Sequence, residues 1–371
     1  MSDATLKAAL SARTMPAAPE LVRAEKDGLR CFACGHRCFI RPGGSGVCRV
    51  RGNVDGTLMV PTGYVAAIQI DPIEKKPFYH AFPGRDALSF GMLGCDLHCS
   101  YCQNWVTSQA LRDDAATAPL YEVAPKDLVA LALRHGAPVV VSTYNEPLIT
   151  AEWAVQVFAP ARAAGLHCAF VSNGNATPEV LDYLKPFVSL YLYKVDLKGF
   201  TDKGYRSLGC KLSNVLESIQ RLKVLGFWVE IVTLVLPGFN DSEEELNGIA
   251  NFIAGVSPEI PWHVTAFHPD YQMRDRDGTP VETLLRAYDL GKAAGLHFVY
   301  PGNLHGRVGE RENTCCPGCG ETLIRRRGFY VLENRMDAGR CPKCGLQVPG
   351  VWEANAPAHS TGTGIPMAVR V

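Results

Sequence analysis

Within one eight-residue span the chain places Cys95, Cys99 and Cys102, spaced C-x3-C-x2-C. Thiolates are the protein ligands of iron–sulfur clusters, and a four-iron cluster normally takes four of them. Three would hold three irons and leave the fourth open. An open coordination position separates a catalytic metal site from a closed structural one. Two plainer readings stand beside this one. With His98 the three cysteines make a closed Cys3His zinc set, and free cysteine is also a common core residue.

The remaining cysteines favour metal. The chain has 14, and only Cys168 and Cys210 lie outside three clusters: Cys31/34/38/48, Cys95/99/102 and Cys315/316/319/341/344. In a reducing compartment such clusters read as metal sites rather than disulfides. The N-terminus lacks the apolar stretch of a secretory signal, and no run of about 18 apolar residues suggests a membrane span. The expected compartment is therefore the cytoplasm. Lys plus Arg and Asp plus Glu both number 37, so the basic surplus of a nucleic-acid binder is missing.

Cys31, Cys34, Cys38 and Cys48 surround a Gly-rich turn from Arg41 to Gly46. Four thiolates are a complete set for zinc or for a closed iron–sulfur cluster. His36 is an additional ligand or a hydrogen-bonding loop residue. Near the other end, Cys316-Pro-Gly-Cys319-Gly and Cys341-Pro-Lys-Cys344-Gly form two knuckles about twenty residues apart, the pattern of a zinc ribbon. A rubredoxin-like single iron is the alternative. Cys315 is read as an unliganded neighbour, and the tail after Trp352 as flexible.

Between these modules apolar strands alternate with amphipathic helices. Strands are expected at 87–93, 139–143, 168–172, 190–196, 228–236 and 263–268, with a last short one at 297–300. Helices are expected at 126–134, 149–164, 178–185, 212–225, 241–254 and 281–294. Continuous apolar strands alternating with helices mean parallel βα units. Six units are too few for a closed eightfold barrel. The expected fold is α/β, a partial (β/α)6 TIM-type barrel, with an open doubly wound sheet as second choice. The expected division is a Cys-rich module over 1–84, the barrel over 85–303, and the ribbon with its tail over 304–371. Polar residues collect where strands end: Cys95, Asn145 and Glu146, Ser172 and Asn173, Asp196 and Lys198, Asp241, His268. Ligand sites of parallel α/β folds lie at the C-terminal ends of strands. Asp241 with Glu244 also fits a helix N-cap and capping box.

Asp71 to His80 is a charged and aromatic run just before the first barrel strand. Charge runs are usually solvated loops. If this one folds across the barrel instead, Lys75, Lys76, Tyr79 and His80 can face an anionic substrate or a partner protein.

The cluster loop, including Tyr101 before its last cysteine, resembles that of the radical S-adenosylmethionine (SAM) enzymes. The match over residues 30 to 352 takes in Cys31 to Cys48, Asp71 to His80, Tyr144 to Pro147, Asp196 to Gly199, Pro237 to Asp241, Trp262 to Pro269 and the terminal ribbon. This set resembles the relatives of pyruvate formate-lyase-activating enzyme, and more closely the radical SAM member of the AmmeMemoRadiSam system. The resemblance implies a [4Fe-4S] cluster on Cys95, Cys99 and Cys102 whose open iron chelates SAM. Reductive cleavage of SAM then yields a 5′-deoxyadenosyl radical that takes a hydrogen atom from a substrate, small molecule or protein. Tyr101, Asn145, Glu146, Ser172, Asn173, Asp196, Lys198 and His268 are the implied cofactor contacts. Asn145-Glu146-Pro147 departs from the family's Gly-Gly-Glu-Pro type motif at its first positions. The implied partners are an electron donor such as flavodoxin or ferredoxin and the two other proteins of the system. A glycyl-radical-enzyme activase is the alternative function, and a non-enzymatic zinc-binding interaction protein a distant third.

Overall fold

A computed structural model describes residues 6–113, 116–188 and 192–369. Its centre is one sheet. The strands are β1 (Ala67–Pro72), β2 (Asp86–Gly91), β3 (Val139–Ser142), β4 (His167–Ser172), β5 (Leu192–Asp196), β6 (Trp228–Val235), β7 (Trp262–Ala266), β8 (Val299–Gly302) and β9 (Met367–Ala368). The expected strand at 190–196 begins outside the described residues, which resume at Leu192. From β2 to β8 every neighbouring pair is parallel and the spatial order follows the chain. A doubly wound sheet reverses its strand order at a switch point, so that second choice is excluded. Crossovers of one hand that always step the same way put the helices on one face. There Leu128, Val157, Leu181, Ile219, Ile249 and Leu284 meet the outward side chains Leu88, Val140, Phe170, Tyr193, Ile231 and Val264 in one core.

Helix limits follow local chemistry. Thr177 caps Pro178–Leu184 through its side chain, with proline at the favoured first turn. The helix after β6 is Glu243–Val256 and its cap is Ser242, whose Oγ accepts from Glu245 N–H at 3.2 Å. This corrects the Asp241 cap. Asp241 instead accepts from Gly238 N–H at 2.8 Å and closes the preceding turn.

The other face of the sheet is not open to water at its lower end. β1 joins β2 antiparallel. The chain then crosses beneath, and Ile73, Phe78, Ala81 and Phe82 pack on Ala87, Val139, Val141, Ala169 and Leu192. Asp71 to His80 is therefore a plug, not a solvated loop: Asp71 and Glu74 are 0 % exposed and Lys76 is 4 %. Its charges go inside because each finds a partner there. Asp71 pairs with Lys75 and Lys76, and Glu74 with Arg326 of the ribbon.

The flanking modules are bolted to this sheet. The N-terminal one has its own small core of Leu29, Cys31, Ala33, Ile40, Leu58 and Val60. It docks through a buried Arg51–Glu152 pair at 2.7 Å and an Arg37–Glu179 pair at 2.8 Å. The ribbon docks under β7 and β8, where Tyr79, Phe298 and Tyr300 join Leu323, Ile324 and Val331. The tail expected to be flexible returns along the ribbon. Ser360 N–H bonds the Val331 carbonyl at 3.0 Å, Thr361 N–H bonds Gly84 at 2.9 Å, and β9 pairs with β1 at the sheet edge. The polar Ser-Thr-Gly composition that suggested disorder here supplies a partner for an otherwise bare edge.

Candidate metal and cofactor site

The cysteine loop leaves β2 through Gly94, whose φ is +96°. A Cβ at Gly94 would stand 2.9 Å from Val50 and 3.0 Å from the Cys48 carbonyl oxygen. Both facts require glycine, and they press the loop onto the N-terminal module. Cys95, Cys99 and Cys102 all line one cavity of about 100 Å³. It adjoins a larger one of about 540 Å³ that shares Cys99, Cys102, Asp196 and Lys198. That volume is in the range of cofactor and ligand pockets. Burial pushes all three thiols up, Cys99 to about 11, so a bound cation is what would hold them as thiolates. Their sulfurs are not gathered as ligands of one ion: among the described residues only Cys316, Cys319, Cys341 and Cys344 bring such atoms within 4.8 Å of one another. A cluster places its ligands on separate irons and needs the wider spread. The closed Cys3His zinc reading also fails, because His98 sits against Gly209 instead of joining such a group.

Sequence reasoning missed the anchor of the loop. Asp96 is fully buried. Its carboxylate accepts from Asn173 Nδ2 at 2.7 Å and Asn175 Nδ2 at 2.8 Å, and its carbonyl oxygen meets His36 Nε2 at 3.0 Å. An acid between two apolar-facing neighbours inside a cysteine loop was the available signal. His36 is thus a hydrogen-bonding loop residue.

The expected contacts fall into two groups. Glu146 is buried, and its carboxylate accepts from Ser172 Oγ at 2.8 Å, Asn173 N–H at 2.7 Å and Leu148 N–H at 3.1 Å. Burial, and then the Asp96 carboxylate, push its acid up to about 8. Asn145 spends its amide on the backbone, accepting from Met92 N–H at 3.1 Å and donating to the Glu146 carbonyl at 3.2 Å. Glu146, Ser172, Asn173 and Asn145 therefore tie β2, β3 and β4 together beside the cysteines. Asp196, Lys198, His268 and Tyr101 face the larger cavity. His268 Nδ1 meets Gln103 Nε2 at 3.0 Å.

Lys194 was also missed. It lies two residues before Asp196 on β5, hence on the same inner face, and its Nζ is 2.9 Å from Asp196 Oδ1. Lys198 approaches the other oxygen at 3.7 Å. Burial opposes the Asp196 charge, but Lys194 and Lys198 outweigh it and hold the acid below its ordinary range. Across the cavity the plug presents Lys75, Lys76 and Tyr79. His80 does not reach it, being bonded to the Pro349 carbonyl and Tyr300 Oη, both at 2.7 Å. Tyr144 has φ +69°, an outlier for a bulky residue. It is held there by hydrogen bonds to Asp71 and, at 3.2 Å, from Lys76. Burial lowers Lys76 to about 8 despite the Asp71 charge.

In the ribbon, Cys316–Cys344 and Cys319–Cys341 sulfurs lie 3.6 and 3.7 Å apart. A tetrahedral ion with sulfur ligands at about 2.3 Å needs them about 3.8 Å apart, so the donor set fits one zinc or one iron. Cys315 is exposed and turned to Thr322.

Residues 91–250 match the radical SAM superfamily. An uncharacterized protein of Methanocaldococcus jannaschii is 36% identical over 324 residues, 86% of this chain and 95% of that protein. The pyruvate formate-lyase-activating enzyme of Staphylococcus aureus is 24% identical over 214 residues, 53% of this chain and 84% of the enzyme. The isethionate sulfite-lyase activating enzyme of Oleidesulfovibrio alaskensis is 27% identical over 187 residues, 48% of this chain and 59% of that enzyme. The chain belongs to the radical SAM superfamily, with a domain homologous to the activating enzymes, and shares most of its length with the archaeal relative. Among the described residues no helix is long and apolar enough to cross a membrane.

Proposed function

We propose that this chain is a radical SAM enzyme of the AmmeMemoRadiSam type, acting on a small molecule. The observation that carries the reading is the convergence of Cys95, Cys99 and Cys102 on a cavity that opens into the Asp196–Lys198 chamber. Bound there, a reduced [4Fe-4S] cluster and SAM supply a 5′-deoxyadenosyl radical. The protein's part is to position and shield. Asp96 fixes the cysteine loop from behind, and Glu146 ties the end of β3 to the turn after β4 beside it. Asp196 and His268 offer the cavity a carboxylate and an imidazole for the amino-acid and ribose ends of SAM. The plug closes the floor, which excludes water from a site where any stray hydrogen would be attacked. Lys76, beside Tyr144, offers a cation to an anionic substrate. An electron donor such as flavodoxin or ferredoxin and the two other proteins of the system are the proposed partners. The modules over 1–84 and 304–371 are proposed as metal-bearing flanks of a barrel over 85–303.

Asp196→Ala and His268→Ala should each weaken SAM binding by about 1.5–3 kcal/mol, the worth of a hydrogen bond to a charged group, with iron content unchanged. Equilibrium binding to reconstituted protein checks this; unchanged affinity in both would leave them as turn chemistry. The proposed zinc of the ribbon is tested in the full chain, because cutting at Asn303 would uncover Tyr79 and Tyr300. Cys316→Ser with Cys344→Ser should lower zinc by one atom per chain and leave iron unchanged. Undiminished zinc would refute the assignment. Homology to activating enzymes keeps the activase reading in view, and a glycyl radical raised in a partner enzyme with this protein and SAM would promote it.

A further inference from the structure

We propose that Cys31, Cys34, Cys38 and Cys48 hold a second iron–sulfur cluster, which hands single electrons to the central cysteine loop. The proposal rests on the reading that Cys95, Cys99 and Cys102 hold a cluster. Cys31, Cys34 and Cys48 are buried, Cys38 is half-buried, and none is in a disulfide.

The spread of the sulfurs chooses between zinc and cluster. The ribbon shows what single-ion spacing looks like in this chain, with all four ligand atoms within 4.8 Å of one another. No three ligand atoms of the N-terminal quartet come that close, and the central three do not either. Four thiolates on four separate irons stand further apart than four on one ion. The two sites that fail the single-ion spacing are the two that touch.

That contact defines the role. Cys34 and Cys48 pack against Ile149, beside the barrel mouth, in a cluster apart from the N-terminal core. From Cys34 the chain runs through Gly35 to His36, whose Nε2 is 3.0 Å from the Asp96 carbonyl oxygen. Asp96 is bonded covalently to Cys95. Gly35 N–H also bonds the Asn175 carbonyl at 2.8 Å. Cys38 is the least buried of the four. One electron enters there from a reduced one-electron carrier protein and one leaves to the central cluster. No bond is made or broken and no proton moves.

The test uses the full chain, reconstituted anaerobically, with iron, sulfide and zinc counted and Mössbauer and EPR spectra recorded. Cys34→Ser with Cys48→Ser should halve the iron and leave zinc unchanged. Cys95→Ala with Cys99→Ala and Cys102→Ala should also halve the iron, and the cluster that remains should still give a reduced EPR signal. This second variant decides the matter if the first does not fold. Zinc, or no metal, in the quartet of the triple variant would overturn the proposal. Full iron in the triple variant would instead overturn the reading of the central loop. In the quartet variant, reduction of the central cluster by reduced flavodoxin, followed by freeze-quench EPR, should slow at least tenfold. An unchanged rate would overturn the relay.

Discussion

Replacing Cys95, Cys99 and Cys102 together by Ala should abolish SAM cleavage, not merely slow it. No other described group lines the small cavity with thiols. The effect should be confined to the site. The loop is anchored by Asp96, Asn173 and Asn175, and sulfur adds only the contacts of Cys95 with Leu97 N–H and of Cys102 with Ser108, so the thermal midpoint should change little. The buried Arg51–Glu152 pair and the ribbon should stay in place. The check is 5′-deoxyadenosine formed under reducing, anaerobic conditions, with circular dichroism as a control on folding. Cleavage persisting in the triple variant would contradict the assignment.

The second large effect is on stability. Arg51 and Glu152 are 1 % and 3 % exposed, and their two bonds are both 2.7 Å. The guanidinium also donates to the Ile149 carbonyl at 3.1 Å, and Glu152 accepts from Ala18 N–H at 3.3 Å. Glu152→Ala leaves a cation buried without its partner, which should cost about 3–5 kcal/mol. Arg51→Met should cost a similar amount through the stranded carboxylate. The double variant Arg51→Met, Glu152→Leu should recover most of the loss, because apolar replacement of both partners removes the desolvation penalty along with the attraction. Urea unfolding of the four proteins measures this. Additive losses would show that the pair contributes by packing alone. Since this pair fastens the N-terminal module to the first turn of Ala151–Ala163, the single variants should also expose Cys34 and Cys48 to alkylation.

How much of this was legible in the sequence depends on the range of the interaction. The strands β3 to β7 and their helices were readable because apolar periodicity is local and their burial is nearly complete. The inner face was half readable. Asp196 was found at a strand end, but Lys194 in mid-strand was passed over, although the period of two puts both on one face. Asp71 to His80 reads as a solvated loop by default because the partners of its acids lie far away in sequence, Tyr144 73 residues from Asp71 and Arg326 252 residues from Glu74. A buried charge is recognisable only with its partner in view. The tail failed for the same reason: its small polar residues gain order from Val331, Gly84 and β1, none of them local. Glu146 is expected from the resemblance to contact SAM, and Asn145 marks a departure from the family motif; the bonds these two make within the chain run to the amides of Met92, Leu148 and Asn173, to Ser172 and to the Glu146 carbonyl.

The Cys95 loop, loaded with a cluster, is proposed to cleave SAM reductively. The most direct measurement incubates anaerobically reconstituted full-length protein with dithionite and SAM and quantifies 5′-deoxyadenosine and methionine. Both products are expected, in equal amounts, and both are lost in the triple-cysteine variant. Protein with its full complement of iron and sulfide that forms neither product, while binding no SAM, would contradict that proposal.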